Sequence, residues 1–341
     1  MHPIQFGFCL PIFAAPGGRL FRTPNYAQLD TAATMRLAQE ADTLGYDSLW
    51  VADHLMLGRD NAILEGWTTL AALAGSTQRA RLGIIHQAHF FRHPALAAKM
   101  TATLDQISGG RFIYFIDGGN SRHEYLAYGL PWHDEREERI DHMLDGLPIT
   151  LALWQAEEPV TMAGQHYRVE NAVCNPPPVQ QPHPPIWFGE AHPLTLRACA
   201  QYAQGWNTVP VTLDELRRRL DALRSAFEQV GRPFDELEKS LETQILIAPD
   251  LDGVRRQLRA MLALNPPDAP DPALQAFLDG HTDDVPASLS DTWIIGTPQM
   301  VEQRLRTYID LGITHFLLWF MDAPQPDGLR LFAQDVMPRF R

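Results

Sequence analysis

Four places in this 341-residue sequence carry polar or imidazole groups directly after a short apolar run. Asp53 and His54 follow Ser48–Ala52, and His86, Gln87, Ala88 and His89 follow the run that starts at Arg81. Asp117, Gly118, Gly119 and Asn120 follow Arg111–Ile116, and Glu190, Ala191 and His192 follow the run from Ile186 to Gly189. An imidazole can give or take a proton near neutral pH, which makes His54 a candidate for acid–base work. A glycine pair at a strand-to-helix turn, here followed by Asn120 and Ser121, can offer backbone N–H groups to an anion such as a phosphate. Each feature also has a plainer reading. His54 can be a capped loop histidine, Asp53 a carboxylate that orients a loop, and His89 and His93 ordinary hydrogen-bonded members of a loop that also holds Phe90, Phe91 and Arg92. Thirteen histidines raise the question of a metal, but no H-x-H lies on a strand and no acidic partners stand at recognisable spacings, so no metal site is expected. Ser76 and Ser121 lack the sharp strand-to-helix turn that a serine nucleophile needs.

The elements that must position these groups alternate between strand and helix. Pro94 suits a first helical position, Leu96, Met100, Leu104 and Ile107 recur at helical spacing, and Gly109 and Gly110 end the helix. Leu29, Ala33, Leu37, Ala41 and Leu44 form an earlier stripe closed by Gly45, with Asn25 as its expected cap. Strand patterns fall at Ile4–Leu10, Ser48–Ala52, Arg81–His86, Arg111–Ile116, Ile186–Gly189, Trp206–Val209, Thr243–Ala248 and His315–Phe320. Eight such units are most simply closed as a barrel, which leaves no sheet edge. The expected fold is therefore an α/β (β/α)8 TIM barrel, one domain over residues 1–341. It carries a hairpin insertion near 157–185 and an irregular insertion near 263–291. An open doubly wound sheet is less favoured, because no G-x-G-x-x-G follows the first strand. In a barrel the chemistry belongs to loops after strand C-termini, where the four groups above sit. The charged start of the helix expected over His133–Gln155 reads as a solvated face. Trp132, Trp187 and Trp293 are candidates for lining a pocket, against the more frequent fate of core packing.

Composition bounds the function. A net charge of −13 argues against a nucleic-acid or anionic-membrane surface. Three cysteines without a C-x-x-C pair signal neither a disulfide framework nor a zinc site. With no basic-then-apolar start and no run of about 18 apolar residues, a cytoplasmic location is expected.

Four blocks carry a resemblance: GYDSLWVADH (Gly45–His54), RHPALAAKM through TLDQISGGRF with AYG at Ala127–Gly129, PPIWFGEAHPLTLRACAQYAQGWN (Pro184–Asn207) and IIGTPQMVEQRLRTYIDLGITHFLLWF (Ile294–Phe320). In order and extent the chain resembles the bacterial luciferase-like flavin-dependent oxidoreductases. The resemblance implies a flavin at the C-terminal mouth, its phosphate near the loops after strands four and five and its ring over strands two and three. It implies cofactor contacts from His54, Gln87, Ala88, Asp117, Gly118, Gly119, Asn120, Gly189, Glu190, Ala191 and His192, with His54 as the catalytic group. Gln87 and Ala88 match a bulge that supports the ring in relatives, sometimes with a non-prolyl cis peptide. Asp117 and Glu190 depart from the family pattern, and backbone N–H groups, Arg122 or His192 are expected to offset Glu190 beside a phosphate. The expected activity is that of a two-component monooxygenase taking reduced FMN from a separate flavin reductase and using oxygen on a small organic substrate. Alternatives are a dehydrogenase using the deazaflavin coenzyme F-420 and a non-catalytic flavin-binding barrel. The resemblance also makes a homo-oligomer an expectation.

Overall fold

In the computed structural model residues 3–14, 27–264, 266, 269 and 271–341 are described. Eight short runs rich in β-branched and aromatic residues form parallel strands: β1 (Gln5–Cys9), β2 (Ser48–Ala52), β3 (Arg81–Ile85), β4 (Phe112–Asp117), β5 (Ile186–Gly189), β6 (Gly205–Thr208), β7 (Glu238–Ile247) and β8 (His315–Phe320). Each pairs with the next, and Phe6 of β1 lies opposite Phe316 of β8, which closes the ring. The fold is the expected eight-stranded barrel.

Large and small residues alternate across the barrel interior. The Trp50 and Trp187 rings lie 5.2 Å apart. They occupy the space that side chains at Gly83 and Gly205 would need, since a Cβ there would come within 2.1 Å of Trp50 and 2.2 Å of Trp187. Below them a polar cluster ties four strands. His315 Nδ1 lies 2.7 Å from Glu238 Oε1 and its Nε2 2.7 Å from Ser48 Oγ, while Arg81 Nη2 donates to Glu238 at 2.6 Å. These groups stand at the starts of their strands, opposite the mouth.

Several expectations need correction. Strand β7 begins at Glu238, five residues before the expected Thr243, because its polar residues face partners inside the barrel and hide the apolar pattern. The helix Thr31–Leu44 is capped by Asp30, whose Oδ1 accepts from the Ala33 amide at 2.8 Å. Asn25 lies outside the described residues. In the helix Pro94–Ser108 the inward face is Ala97, Ala98, Thr101, Ala102 and Leu104, whereas Leu96 and Ile107 are 54% and 53% exposed. Small residues win that face because the helix packs closely on the helix Arg136–Gln155, near enough for Trp154 Nε1 to donate to the Ala98 carbonyl at 3.0 Å.

The stretch near 263–291 is more regular than its prolines suggest. It follows the helix Leu251–Leu264 and holds the helices Pro272–Leu278 and Ala287–Ser290, with Asn265, Pro267, Asp268 and Pro270 outside the described residues. Leu258, Leu274, Phe277 and Leu289 build a second apolar cluster there. Arg255 staples it, donating to the Phe277 and Thr282 carbonyls at 2.8 and 2.9 Å. Before β5, Val160–Ala163 and Arg168–Ala172 pair as an antiparallel hairpin. Trp187 and Trp293 are core residues, not pocket walls. Among the described residues no helix is long and apolar enough to cross a membrane.

Candidate active site

The loops after β2, β3, β4 and β5 converge at the C-terminal mouth, as barrel geometry dictates. His54 leaves β2 and turns its ring toward the short helix Arg122–Ala127, where Nδ1 lies 2.7 Å from Glu124 Oε1. Glu124 is buried, and its other oxygen accepts from the Leu55 and Met56 amides at 2.7 and 3.3 Å. Burial by itself would raise this carboxyl, but hydrogen bonds from His54, Ser121 and the Leu55 amide outweigh it and bring it down to about 2. An ionised carboxylate only accepts, so the proton of a neutral His54 sits on Nδ1 and its Nε2 carries the free lone pair. His54 lines a cleft with His86, Ala88, Phe91, Asp117, Gly119 and Tyr125.

Asp53 orients the neighbouring loop. It is buried and accepts from the Ala88 amide at 2.8 Å and from both terminal nitrogens of Arg92 at 2.8 and 3.0 Å. The planar fork of Arg92 matches that carboxylate and reaches Glu65 at 2.9 Å as well. The cis peptide in this bulge is Ile85–His86, just before Gln87. Ala88 reaches the cleft, whereas the Gln87 side chain turns inward, donating to the Tyr114 hydroxyl at 3.3 Å. His86 packs edge-on to Phe115 with ring centres 4.6 Å apart, and its Nε2 lies 3.7 Å from Glu242 Oε2 on β7.

A second cleft opens beside the glycine pair. Asp117 Oδ1 accepts from the Gly119 amide at 2.7 Å, and Gly119 takes φ +79° with no room for a side chain, since a Cβ would lie 2.1 Å from the Tyr125 hydroxyl. Only glycine meets both conditions. Gly118, Gly119, Asn120, Arg136, Arg139, Gly189, Glu190 and Thr195 line this cleft. Arg139 is buried and holds the loops on either side, donating to the Gly119 carbonyl at 3.1 Å and to the His133 and Asp134 carbonyls at 2.8 Å each.

Glu190 has a positive φ of 67°, fixed by its amide donating to the Asn207 carbonyl at 3.0 Å and by Trp206 Nε1 donating to its own carbonyl at 2.7 Å. Its carboxylate pairs with Arg136. The group that offsets Glu190 is therefore Arg136. Arg122 instead pairs with the exposed Asp134 at 3.1 Å, and His192 lies 3.8 Å from Glu137. His192 precedes the helix Pro193–Tyr202 without capping it, so the amides of the first turn stay open. Its Nδ1 is buried without a hydrogen-bond partner among the described residues. Ala191, between these two residues, is half-buried. Two guanidinium groups, a bare helix start and a glycine cradle fit a phosphate-bearing cofactor.

Glu124, Arg136, Arg139 and Glu242 were not singled out from the sequence. Glu124 and the two arginines lie in charged stretches that look like solvated helix, and Glu242 lies in a strand segment that looks polar. A count of which acids fall just beyond the glycine pair would have brought up Glu124; no local signal marks the others.

The barrel with this mouth defines the class. Residues 5–315 match the model of the luciferase-like monooxygenase family, so the chain belongs to that family and is an oxidoreductase enzyme. It is 29% identical over 314 residues to the F-420-dependent glucose-6-phosphate dehydrogenase of Nakamurella multipartita, covering 89% of this chain and 91% of the relative. The protein of the same name from Microbacterium testaceum is 27% identical, over 88% of this chain and 91% of that one. Among solved structures, an F-420-dependent secondary alcohol dehydrogenase in complex with an F-420–acetone adduct superposes with a TM-score of 0.76 at 20% identity, covering 99% of both chains. The EDTA monooxygenase of Chelativorans sp. superposes with a TM-score of 0.79 at 17% identity, over 99% of this chain and 93% of the other.

Proposed function

We propose that this protein is a dehydrogenase that uses coenzyme F-420 to oxidise an alcohol-type carbon, in preference to a monooxygenase using reduced FMN. What supports the reading is the His54–Glu124 pair at 2.7 Å, taken with the F-420 dependence of the relatives that match along nearly the whole chain. When bound, the deazaflavin supplies a carbon that accepts a hydride. The protein must then take the hydroxyl proton, and an imidazole whose Nδ1–H is locked to a carboxylate is built to receive it on Nε2. Glu124 positions the ring and balances the charge as His54 becomes protonated. Arg136, Arg139 and the first turn of the helix Pro193–Tyr202 would hold the cofactor's phosphate, with Gly119 letting the backbone come close. Asp53 and Arg92 keep the bulge around Ala88 in place and so would preserve the wall of the cleft that receives the cofactor.

The test is equilibrium binding of oxidised F-420 and of reduced FMN, side by side, followed by turnover with a panel of alcohols. Binding of F-420 and loss of its visible absorbance when an alcohol is added is the expected result. Oxygen uptake coupled to reduced FMN, without F-420 binding, would overturn it and restore the monooxygenase reading. Binding of a cofactor without any turnover would favour the non-catalytic barrel.

A further inference from the structure

Five of the histidines gather on one side of the mouth, outside the cleft of His54. His133 comes from the loop before the helix Arg136–Gln155, His142 from that helix, and His166 from the hairpin tip, with His89 and His93 against Tyr167. We propose that His133, Glu138 and His142 bind a divalent transition-metal ion of the zinc class.

One ligand atom from each of the three lies within 4.8 Å of the others. Ligands sharing a zinc-class ion stand roughly 2.0–2.2 Å from it, hence about 3.4 Å apart, so modest side-chain rotations close the site. Glu138 and His142 are four residues apart on one helix and share a face. His133 Nδ1 is already 2.8 Å from Glu138 Oε1.

The surroundings hold these groups in place. The Asp145 carboxylate accepts from the Gln165, His166 and Tyr167 amides at 2.8, 2.8 and 3.1 Å, which fixes the hairpin tip to the same helix. His166 then stacks on His142 with ring centres 3.5 Å apart and planes at 17°, and its Nε2 is held by Asp141 at 2.9 Å. Stacked faces leave the ring edges, where the nitrogens are, free to turn toward an ion. Phe90 packs on both ligand imidazoles, at 5.1 and 5.4 Å between ring centres. Two imidazoles and one carboxylate suit zinc, cobalt, nickel or copper and not magnesium or calcium, which prefer all-oxygen sites. Three protein ligands leave room for water or a small anion on the ion.

The plainer account is a hydrogen-bonded His–Glu pair next to a stacked His pair, and the two accounts differ in what they predict. Untagged, chelator-treated protein would be titrated with Co2+, read by visible absorption, and with Zn2+, read by calorimetry. The proposal expects one equivalent of Co2+ with visible bands of a low-coordinate nitrogen–oxygen site, displaced by Zn2+ and not by Mg2+. It expects Glu138→Gln and His133→Ala each to weaken Zn2+ binding at least tenfold. Glu138 is an exposed side chain, so its exchange leaves folding intact, whereas His142→Ala also removes the stack under the hairpin. Zn2+ should raise the Tm of the unaltered protein and leave that of Glu138→Gln unchanged. No saturable binding, or binding unchanged by both Glu138→Gln and His133→Ala, would overturn the site.

Discussion

His54 Nδ1 and Glu124 Oε1 are 2.7 Å apart although 70 residues separate them in the chain. The contact determines which imidazole nitrogen holds the proton and therefore which can act. Replacing Glu124 by Gln puts an amide where the carboxylate was, and the amide can donate to Nδ1 and reverse the tautomer. Glu124→Gln should lower kcat about 10- to 100-fold with a smaller change in KM, the range typical for a partner that orients a functional histidine. The pH profile of kcat/KM should shift as well, which a purely structural role would not cause. Steady-state kinetics across pH on the folded variant is the check.

Gly119 meets two constraints at once, a positive φ and a Cβ position 2.1 Å from the Tyr125 hydroxyl. Gly119→Ala should destabilise by about 1–3 kcal/mol and weaken cofactor binding. Adding Tyr125→Phe removes the nearest clashing atom and should recover part of that loss but not the backbone part. Urea melts of the single and double variants measure both.

Asp322, just beyond β8, has its carboxyl raised by burial from 3.8 to about 6, against the lowering effect of its hydrogen bond from the Gly328 amide. The folded protein therefore holds this proton between about pH 3.8 and 6 while the unfolded chain has lost it. Its contribution is fully present below pH 3.8 and is lost as pH rises to about 6. Asp322→Asn, which cannot ionise, should gain stability relative to the parent over that window, by about 3 kcal/mol at pH 7. Melting curves of the two proteins at pH 4 and pH 7 give the difference, and an unchanged gap between them would refute the assignment.

The base of the barrel should respond differently from the mouth. Glu238→Ala leaves Arg81 and His315 without their shared partner, and unpairing a buried charge costs about 3–5 kcal/mol. The free energy of unfolding from urea melts should fall by that amount with cofactor affinity unaltered, since the cluster lies at the opposite ends of the strands.

Among the described residues none that lines the His54 cleft is Lys or Arg, while Asp53 and Asp117 lie within it and Glu242 lies behind His86. An anionic substrate gains nothing there. If the dehydrogenase reading holds, kcat/KM for an uncharged secondary alcohol should exceed that for glucose 6-phosphate at least tenfold, as a substrate panel would show.

The short strands and most helices were legible because they are local. Ser48–Ala52 and Ile186–Gly189 are short and, apart from Ser48, apolar, and their ends were readable to the residue. Strand β7 was only half legible, since Ser240, Glu242 and Gln244 look like surface residues until the barrel supplies Asn207, Trp319 and a closed interior around them. The Pro94–Ser108 helix was legible as a helix but not in its facing, because close packing against Trp154 favours alanine over leucine.

The sequence by itself determined that eight strands would close as a barrel and that Asp53, His54, Asp117 and Glu190 would leave them at one mouth, with a glycine pair at the end of the fourth. Periodicity, turn residues and strand length are short-range properties, so they survive in a string of letters. The tertiary structure alone decided that Glu124 anchors His54, that Arg136 meets Glu190, and that His133, Glu138 and His142 meet beside a hairpin that brings His166 onto the stack. The His54 and Glu190 contacts span 70 and 54 residues and exist only after the barrel has closed. His133, Glu138 and His142 lie close in the chain, but whether their side chains converge depends on the helix register and on the hairpin folding back, neither of which the spacing fixes.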